Sequence, residues 1–209
     1  MSDLIHQFSD WYLSVLAQGG YLLIAALMAL ESTLVPIPSE LIIPPAAYLA
    51  HTQGQFSLSG IVIAGALGSF VGATLMYYAA RWLGRPLVLR FGRYVGLGQS
   101  KLELAEAWLG RYGWSGVFFS RLLPVIRHLI GIPVGILRMP FRWYALATLA
   151  GSLLWSAVLA WLGETLGAHP ELMAGDLHRF FALVAALGVL LTLLYYVFVV
   201  RTARGAPRP

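Results

Sequence analysis

Long runs without any charged residue are the feature of this sequence that most limits how the chain can fold. No Asp, Glu, Lys or Arg occurs between Glu40 and Arg81, or within residues 143–163 and 180–200. The last two runs are 21 residues long, close to the ~20 apolar residues with which a helix crosses a bilayer. Charged residues make up 11% of the chain, against about 25% in soluble proteins. The sequence therefore predicts an all-α polytopic membrane protein.

The apolar runs are of two kinds, continuous and interrupted. Residues 58–80, 143–163 and 180–200 are continuous and predict three spanning helices. Residues 19–50 and 113–138 are apolar but broken by prolines, which we expect to shape them: Pro36, Pro38, Pro124 and Pro133. A membrane tolerates such broken segments where protein buries them or where they line a cavity. We therefore predict two re-entrant helical hairpins in a core of residues 19–167.

Three further segments flank this core or interrupt it. Residues 1–18 lack a basic N-terminal region, so no cleavable signal peptide is predicted. Their apolar positions recur at helical spacing and predict an amphipathic helix: Leu4, Ile5, Phe8, Tyr12 and Val15. This helix either lies at the membrane interface or packs on the rest of the chain. Residues 86–112 predict cytoplasmic surface helices that rest against anionic headgroups. Residues 178–209 contain the last span and a basic tail.

The distribution of basic residues predicts the orientation in the membrane. Residues 79–112 hold six of the fourteen Lys and Arg, and residues 201–209 hold three more, whereas residues 164–179 carry three acidic residues and one arginine. Because cytoplasmic loops are rich in Lys and Arg, the first two segments are predicted to be cytoplasmic and the third external. Hairpin 19–50 then enters the membrane from outside, and hairpin 113–138 enters from inside.

The sequence also repeats in a way that agrees with this orientation. Gly68-Ser69 and Gly151-Ser152 are each followed, sixteen residues after the glycine, by a Leu-Gly pair. Each of these spans follows a hairpin that begins with a glycine-aromatic pair, Gly20-Tyr21 or Gly113-Trp114. A chain rich in glycine and leucine can produce such a match by chance, but the two hairpins also have opposite predicted orientations. We therefore predict an inverted repeat, the architecture of many secondary transporters.

Four charged residues lie inside the predicted hairpins. Glu31 and Glu40 flank the break of the first hairpin, and Arg121 and Arg127 flank the break of the second. A charge at the centre of a spanning helix costs roughly 2.5–3.5 kcal/mol on insertion scales, so these four need a reason. Either two Glu–Arg pairs neutralise one another, or the arginines bind an anionic headgroup while the glutamates carry a proton. Both can hold, because forked guanidinium donors suit phosphate and burial disfavours an ionised carboxylate.

The charges lie within a series of spaced motifs, namely Glu31 with Pro36-Ile-Pro38-Ser-Glu40, Gly68-x3-Gly72-x4-Tyr77, Arg81-x2-Gly84-Arg85, Arg121-x2-Pro124-x2-Arg127, Gly131-Ile-Pro133-Val-Gly135, Arg138-Met139-Pro140 and Gly151-Ser-x2-Trp155. These motifs resemble the DedA family of integral membrane proteins, which share the VTT (SNARE-associated) domain, and the resemblance covers roughly residues 20–167. Ala80 and His128 depart from the residues usual in the family, but neither departure touches the charged positions.

This resemblance implies two opposed re-entrant hairpins and lipid translocation. Members with the P-x-P-S-E motif resemble undecaprenyl-phosphate recycling translocases of the bacterial cytoplasmic (inner) membrane, whereas other relatives move or scramble phospholipids such as phosphatidylethanolamine. On this basis Arg121 and Arg127 bind the phosphate of a polyprenyl phosphate, and Glu31 and Glu40 couple its movement to protons or act as a gate. A phospholipid flippase with the same site and a membrane assembly factor without transport are the alternatives, and a homodimer stays open.

Other chemistries have less support in the sequence. The S-R-x5-H pattern of lipid phosphatases is incomplete, because Arg127 stands at the histidine position after Ser120-Arg121 and His128 comes one residue late. We therefore predict no enzyme. The five histidines lack ligand spacing and cysteine is absent, so neither a metal nor a cofactor is predicted. The net charge of +5 does not predict nucleic-acid binding, since the basic residues punctuate apolar spans; the predicted partners are lipids.

The predicted orientation can be tested by cysteine labelling, since the chain contains no native cysteine. Ala174→Cys should react with a membrane-impermeant maleimide added to intact cells, because residues 164–179 are predicted to be external. Ala206→Cys, in the basic tail, should react only after the cells are permeabilised. Labelling of position 174 only from the cytoplasmic side would show that the predicted topology is wrong.

Overall fold

Helices form every regular element in the part of the chain that the structure describes. The computed structural model describes residues 2–33, 38–92, 99–123 and 126–168. Its elements are α1 (Ser2–Glu31), a short 3-10 helix (Ser39–Leu41), α2 (Ile43–Gln53), α3 (Leu58–Gly92), α4 (Gln99–Arg121), α5 (Ile126–Leu129), α6 (Gly131–Ile136) and α7 (Phe141–Ala168). Pro36, Pro124 and the predicted segment 178–209, including span 180–200, lie outside the described residues.

Three of these helices are long and apolar enough to cross a bilayer. The candidate spans are Trp11–Glu31, Leu58–Pro86 and Phe141–Ala168, of 21, 29 and 28 residues. The second and third contain the predicted spans 58–80 and 143–163, so the prediction of an all-α membrane protein is confirmed. The first was not predicted as a span, because it joins the end of the amphipathic segment to the start of the hairpin.

Glycines with positive φ bend three of the long helices sharply. Gly20 in α1, Gly84 in α3 and Gly113 in α4 have φ of 61°, 69° and 55°, outside the helical region of the backbone. Glycine adopts this conformation without the steric penalty that a Cβ imposes. Each of these helices therefore consists of two segments that point in different directions. The bends at Gly20 and Gly113 lie where the sequence predicts the two hairpins to begin.

The bends define two helical hairpins, named here by their residues. The first hairpin, residues 21–53, runs from the end of α1 through the 3-10 helix into α2. The second hairpin, residues 114–136, runs from the end of α4 into α5 and α6. In each hairpin the two arms pack against one another.

The segment of α1 before Gly20 packs on the rest of the chain. Leu16 is 1% exposed within the apolar core, and the Tyr12 hydroxyl donates a hydrogen bond to the carbonyl of Leu41, at 2.5 Å. Val15, another position of the predicted apolar face, is 37% exposed. The packing face therefore includes Tyr12, which was predicted, and Leu16, which was not.

Arg85 holds together the two helical segments of the predicted surface region. It follows the bend at Gly84 and forms ion pairs with Glu106 and Glu103 of α4, at 2.7 and 3.3 Å. These carboxylates precede the bend at Gly113. The predicted helices of residues 86–112 are thus joined at the surface by a forked guanidinium, the geometry that binds two oxygens most directionally.

The hairpins pack on the spans α3 and α7 in a crossed arrangement. The first arm of each hairpin contacts the span that follows it, α1 against α3 and α4 against α7. The second arm contacts the other span, so α2 packs on α7 and α6 packs on α3, and the two spans also contact each other. Both hairpins are therefore clasped between α3 and α7, and their broken tips lie in the interior.

Small residues allow these helices to approach at backbone distance. A Cβ on Gly68 or Gly72 of α3 would overlap the carbonyl of Ala25 or Ala29 in α1. A Cβ on Gly163 of α7 would likewise overlap the carbonyl of Pro44 in α2. Close contact through small residues replaces the hydrophobic effect as the source of helix association in lipid.

Gly72→Ala should lower the stability of the folded protein by about 1–3 kcal/mol, because the new methyl group has no room against Ala29. Thermal unfolding in detergent measures the change. Gly110→Ala is the matched control, since a Cβ there meets no atom within 4 Å. Its stability should stay unchanged or rise by up to about 1 kcal/mol, the helix-propensity gain over glycine. Equal stability of the two variants would contradict the close packing of α1 on α3.

Candidate functional site

Three of the four charged residues predicted inside the hairpins are buried and meet at the broken tips. Glu31, Arg121 and Arg127 are 1%, 3% and 6% exposed. Glu31 is the last residue of α1, Arg121 is the last residue of α4, and Arg127 lies in α5. Glu40, in the 3-10 helix, is half-buried and forms no ion pair with any described residue. The two hairpin tips thus bring one carboxylate and two guanidinium groups together in the interior.

Glu31 is the acceptor at the centre of this cluster. Its carboxylate accepts a hydrogen bond and ion pair from Nη2 of Arg127 and a hydrogen bond from the hydroxyl of Ser32, at 3.1 Å. His128 lies on the same side, with its Nδ1 2.9 Å from the Glu31 carbonyl oxygen and its Nε2 3.7 Å from the carboxylate. A carbonyl can only accept, so this hydrogen bond requires the proton on Nδ1. His128 therefore fixes the backbone of Glu31 to α5.

Arg127 joins the second hairpin to three other parts of the chain. Its Nη2 donates to the hydroxyl oxygen of Ser39 at 2.7 Å as well as to Glu31. The indole Nε1 of Trp155, on α7, donates to the same Ser39 oxygen at 3.2 Å. The Arg127 guanidinium also lies 5.3 Å from the centre of a Trp155 ring, within the range of a cation–π interaction. Arg127 is therefore held by the first hairpin on one side and by α7 on the other.

Arg121 has no acidic partner among the described residues. Its Nη1 donates to the carbonyl of Arg127 at 3.0 Å, and its Nη2 donates to the hydroxyl of Tyr144 at 2.7 Å. The guanidinium lies 5.6 Å from the ring centre of Tyr144. The alternative of two mutually neutralising Glu–Arg pairs is therefore wrong for the described residues: one ion pair forms, between Glu31 and Arg127, and Arg121 forms none with a described residue.

Both arginines also have a donor without an acceptor. The Nε atoms of Arg121 and Arg127 are buried and have no hydrogen-bond partner among the described residues. Ser39 is fully buried and its oxygen already accepts two hydrogen bonds, from Arg127 and Trp155. A buried N–H without an acceptor loses its hydration and gains nothing in return. The cluster thus has more donors than the surrounding protein satisfies.

The local sequence explains how the tips are built. Pro38 has an extended backbone, with ψ of 128°, and precedes the 3-10 helix that carries Ser39. Pro44 occupies the first turn of α2, where proline is tolerated because that turn has free N–H positions. Pro133 lies buried in the first turn of α6. Two of the prolines predicted to shape the hairpins are thus described: Pro38 directly precedes the 3-10 helix of the first hairpin, and Pro133 lies in the second arm of the second hairpin.

Sequence reasoning missed three residues of the cluster, namely Ser39, Tyr144 and Trp155. Ser39 and Trp155 lie within the family motifs, but they are uncharged, and a site residue was predicted only where a charge interrupts an apolar segment. Tyr144 adjoins Trp143 at the start of a span, where an aromatic residue is expected as an interface anchor. Helical periodicity is the signal that could have identified Tyr144, because Tyr144, Gly151 and Trp155 lie on one face of α7. At Gly151 a Cβ would contact the side chain of Arg121.

The described residues contain no group of three or more His, Asp or Glu side chains that could hold a metal ion. The hydroxyl of Ser120, the serine of the incomplete phosphatase pattern, is buried and donates to the carbonyl of Val117 at 2.7 Å. The chemistry that the cluster offers is therefore that of hydrogen-bond donors and positive charge.

Comparison with known proteins identifies the family. The VTT domain matches residues 37–165, which include both arginines, Glu40 and Trp155. The chain belongs to the VTT domain (DedA) family. The resemblance inferred from the motifs is therefore confirmed. No solved structure matches the chain.

Relatives of the chain include proteins named as transporters and proteins named as phosphatase-like. Undecaprenyl phosphate transporter A of Bacillus subtilis is 31% identical over 97% of this chain and 98% of its own length. The protein of the same name in Staphylococcus aureus is 32% identical over 77% of this chain and 81% of its own length. An alkaline phosphatase-like protein of Lactococcus lactis subsp. cremoris is 34% identical over 90% of each chain.

Removal of one partner of the Glu31–Arg127 pair should be strongly destabilising. Arg127→Gln leaves a buried carboxylate without its counter-charge, for which the expected loss is about 3–5 kcal/mol. The double exchange Glu31→Arg/Arg127→Glu restores charge balance and should recover most of the folded protein. Thermal unfolding and the monodisperse fraction in detergent measure both effects.

Glu40→Gln is the control for this experiment, because Glu40 is half-buried and forms no ion pair with a described residue. Its stability should lie within about 0.5 kcal/mol of the unsubstituted chain, as for most substitutions away from buried networks. If Arg127→Gln were as stable as Glu40→Gln, the ion pair would have no structural role.

Proposed function

We propose that this protein translocates undecaprenyl phosphate, or a closely similar polyprenyl phosphate, across the bacterial cytoplasmic membrane and so recycles an envelope lipid carrier. The observation that carries the proposal is the buried guanidinium of Arg121, which has no acidic partner among the described residues. A charge of this kind is expensive in a membrane interior unless a ligand compensates it. An anionic headgroup is the compensation that a lipid transporter requires.

The balance of charges and donors supports a phosphate group in particular. Among the described residues, two buried arginines stand against one buried carboxylate, with Glu40 half-buried at the same tip. The unpartnered Nε atoms of Arg121 and Arg127 add two N–H donors. A phosphate monoester has three terminal oxygens and accepts bidentate hydrogen bonds from guanidinium groups, which are stronger and more directional than contacts with a point charge. Arg121 and Arg127 are the proposed substrate-binding residues.

The Glu31–Arg127 ion pair supports a coupling of lipid movement to protons. The Glu31 carboxylate and a bound phosphate would compete for Nη2 of Arg127. Addition of a proton to Glu31 removes its negative charge and frees this donor for the headgroup, and loss of the proton restores the ion pair and expels the headgroup. Glu40 is half-buried at the same tip and is proposed to deliver the proton or to gate access.

The crossed packing of the hairpins supports re-entrant hairpins in an inverted repeat. In each half, the first arm of the hairpin contacts the glycine of the repeated Gly-Ser pair in the following span. Gly68 of α3 lies against Ala25 of α1, and Gly151 of α7 lies against the carbonyl of Phe118 in α4. Positive φ recurs where each hairpin turns into its span, at Gly54 and at Arg138. We propose that both tips lie near the membrane midplane, where transporters with broken helices bind substrate, and that the C-terminus is cytoplasmic.

The names of the relatives are divided between transport and hydrolysis. The Bacillus subtilis and Staphylococcus aureus relatives are called undecaprenyl phosphate transporters, whereas the Lactococcus lactis relative is called alkaline phosphatase-like. Ser120, the serine of the incomplete phosphatase pattern, donates its hydroxyl to the carbonyl of Val117 in its own helix. We propose that the chain is not an enzyme.

A phospholipid flippase or scramblase is the second candidate, and Glu40 is the observation that favours it. This carboxylate has no ion pair among the described residues and could bind the ammonium group of phosphatidylethanolamine beside a phosphodiester on the arginines. A phosphodiester has fewer free oxygens for the guanidinium groups, however, and its ammonium is repelled by them. The two candidates thus differ in how strongly transport depends on the shape of the arginine side chain.

Lysine substitutions separate the two candidates. Arg121→Lys and Arg127→Lys keep the charge but lose the planar fork, so each should slow transport of a phosphate-monoester lipid roughly tenfold or more, since a charge-assisted hydrogen bond contributes about 1.5–3 kcal/mol. Proteoliposomes that contain labelled farnesyl phosphate and labelled phosphatidylethanolamine measure both lipids together. Arg111→Lys, an exposed position on α4, is the control and should transport normally.

The polyprenyl-phosphate carrier would be supported if the unsubstituted chain transports farnesyl phosphate faster than phosphatidylethanolamine and both lysine variants lose this difference. Equal rates for both lipids in all the proteins would overturn it and favour the scramblase. No transport of either lipid by the unsubstituted chain would overturn both candidates.

A further inference from the structure

The hydroxyl group of Tyr144 connects the buried Arg121 to the neighbouring span. It accepts a hydrogen bond from Nη2 of Arg121 at 2.7 Å and donates one to the carbonyl of Ala73, in α3, at 2.9 Å. The direction of both bonds is fixed, because a guanidinium only donates and a carbonyl only accepts. Tyr144 is fully buried, so neither bond competes with water. The orientation of the Arg121 fork is thus tied to the backbone of α3.

The ring of Tyr144 is itself held on two sides. It stacks on Tyr77 of α3, with ring centres 5.0 Å apart and an angle of 22° between the planes. On the other side Gly131, the first residue of α6, leaves room for the hydroxyl, since a Cβ there would lie 3.0 Å from it. Tyr144 therefore has little freedom to follow Arg121 if the guanidinium moves.

Two anchors define the plane of the Arg121 guanidinium. Nη1 is bonded to the carbonyl of Arg127 and Nη2 to Tyr144, while Nε has no partner. A long side chain with one anchor keeps several rotamers, and binding then has to restrict them. With both anchors in place the free donor is held in one direction before any ligand arrives. Preorganisation of this kind raises affinity by lowering the entropy lost on binding.

We propose that Tyr144 is a positioning residue, which presents Arg121 to the phosphate headgroup and is needed for tight binding of phosphate-monoester lipids. This inference rests on the proposed function, because the headgroup is that of the proposed substrate. Tyr144 does not itself touch the headgroup; it acts through Arg121. Because Tyr144 is buried, it does not act as an aromatic anchor at the membrane surface.

Tyr77 provides a matched control within the same ring stack. Its hydroxyl accepts from Nη1 of Arg81 at 2.8 Å and donates to the carbonyl of Met139 at 2.6 Å. It is as buried as Tyr144 and has the same two kinds of hydrogen-bond partner. Arg81, however, is exposed and has no contact with Glu31, Arg121 or Arg127 in the structure. Tyr77→Phe thus removes an equivalent hydroxyl without touching the arginine cluster.

The test measures binding of labelled farnesyl phosphate to the purified full chain in detergent by equilibrium dialysis, with farnesol as the probe that lacks the phosphate. Tyr144→Phe should raise the Kd for farnesyl phosphate about tenfold, the effect of losing one hydrogen bond to a charged group. Tyr77→Phe should change it less than threefold. Farnesol binding should be the same in both variants and in the unsubstituted chain.

The Arg121→Gln background tests whether Tyr144 acts through Arg121. In that background Tyr144→Phe should cause no further loss of affinity, because there is no guanidinium left to position. A full tenfold effect there would overturn the inference, as would equal losses in the two tyrosine variants or a parallel loss of farnesol binding. Failure of Tyr144→Phe to fold would also overturn it, since Tyr144 would then serve stability.

The outcome is separable from that of the proposed function. An unsubstituted chain that binds farnesyl phosphate but does not move it across proteoliposomes would overturn the proposed transport and leave the role of Tyr144 to be decided by the Kd values. An unsubstituted chain that does not bind farnesyl phosphate would overturn the inference about Tyr144, whatever lipid it transports.

Discussion

The ion pair between Glu31 and Arg127 is the interaction on which the interior of this protein depends. It joins residues 96 positions apart, at the broken tips of two different hairpins. In a low-dielectric interior either charge alone would be very costly, whereas the two together, with Ser32 and Ser39 as further partners, satisfy most of one another's requirements. The pair therefore sets the register of the two tips. The arrangement of Arg121, His128 and Trp155 follows from it, since all three contact Arg127 or Glu31.

The tips can meet only because the surrounding helices lie very close together. Glycines on α3 and α7 accept the backbones of α1 and α2 where any side chain would push them apart. Each hairpin also rests on both spans, so the distance between the tips is fixed from two directions. The buried charges and the glycines around them thus depend on each other. A buried ion pair in a membrane protein needs polar partners within hydrogen-bond distance, and the helices can come that close only where glycines leave room between their backbones.

Sequence alone predicted the class of the fold and the charges of the site, but not their pairing. Runs without charge fix the length of the spans, and a charge inside such a run attracts attention because it is costly. The pattern could not show that Glu31 pairs with Arg127 while Glu40 and Arg121 have no ionic partner among the described residues, because pairing depends on how two distant tips face each other. Neutral residues such as Ser39 and Tyr144 are not costly inside an apolar segment, so the sequence does not mark them as unusual. Of the apolar positions predicted in α1, Tyr12 packs on Leu41 while Val15 is exposed and Leu16 is buried instead, since a short amphipathic pattern defines a helix more firmly than it defines the direction of its face.

The reciprocal bonds of Tyr77 and Tyr144 have a consequence for motion. Tyr144, on α7, is bonded to the backbone of α3, and Tyr77, on α3, is bonded to the backbone at Met139, just before α7. A slide of one span past the other by a single helical turn, about 5.4 Å, would break both bonds and the ring stack at once. The described residues of the tips instead form short helices, the 3-10 helix Ser39–Leu41 and α5, which contain few regular backbone hydrogen bonds. Any cycle of inward and outward opening is therefore expected to keep α3 and α7 as a fixed frame and to rearrange the hairpin tips.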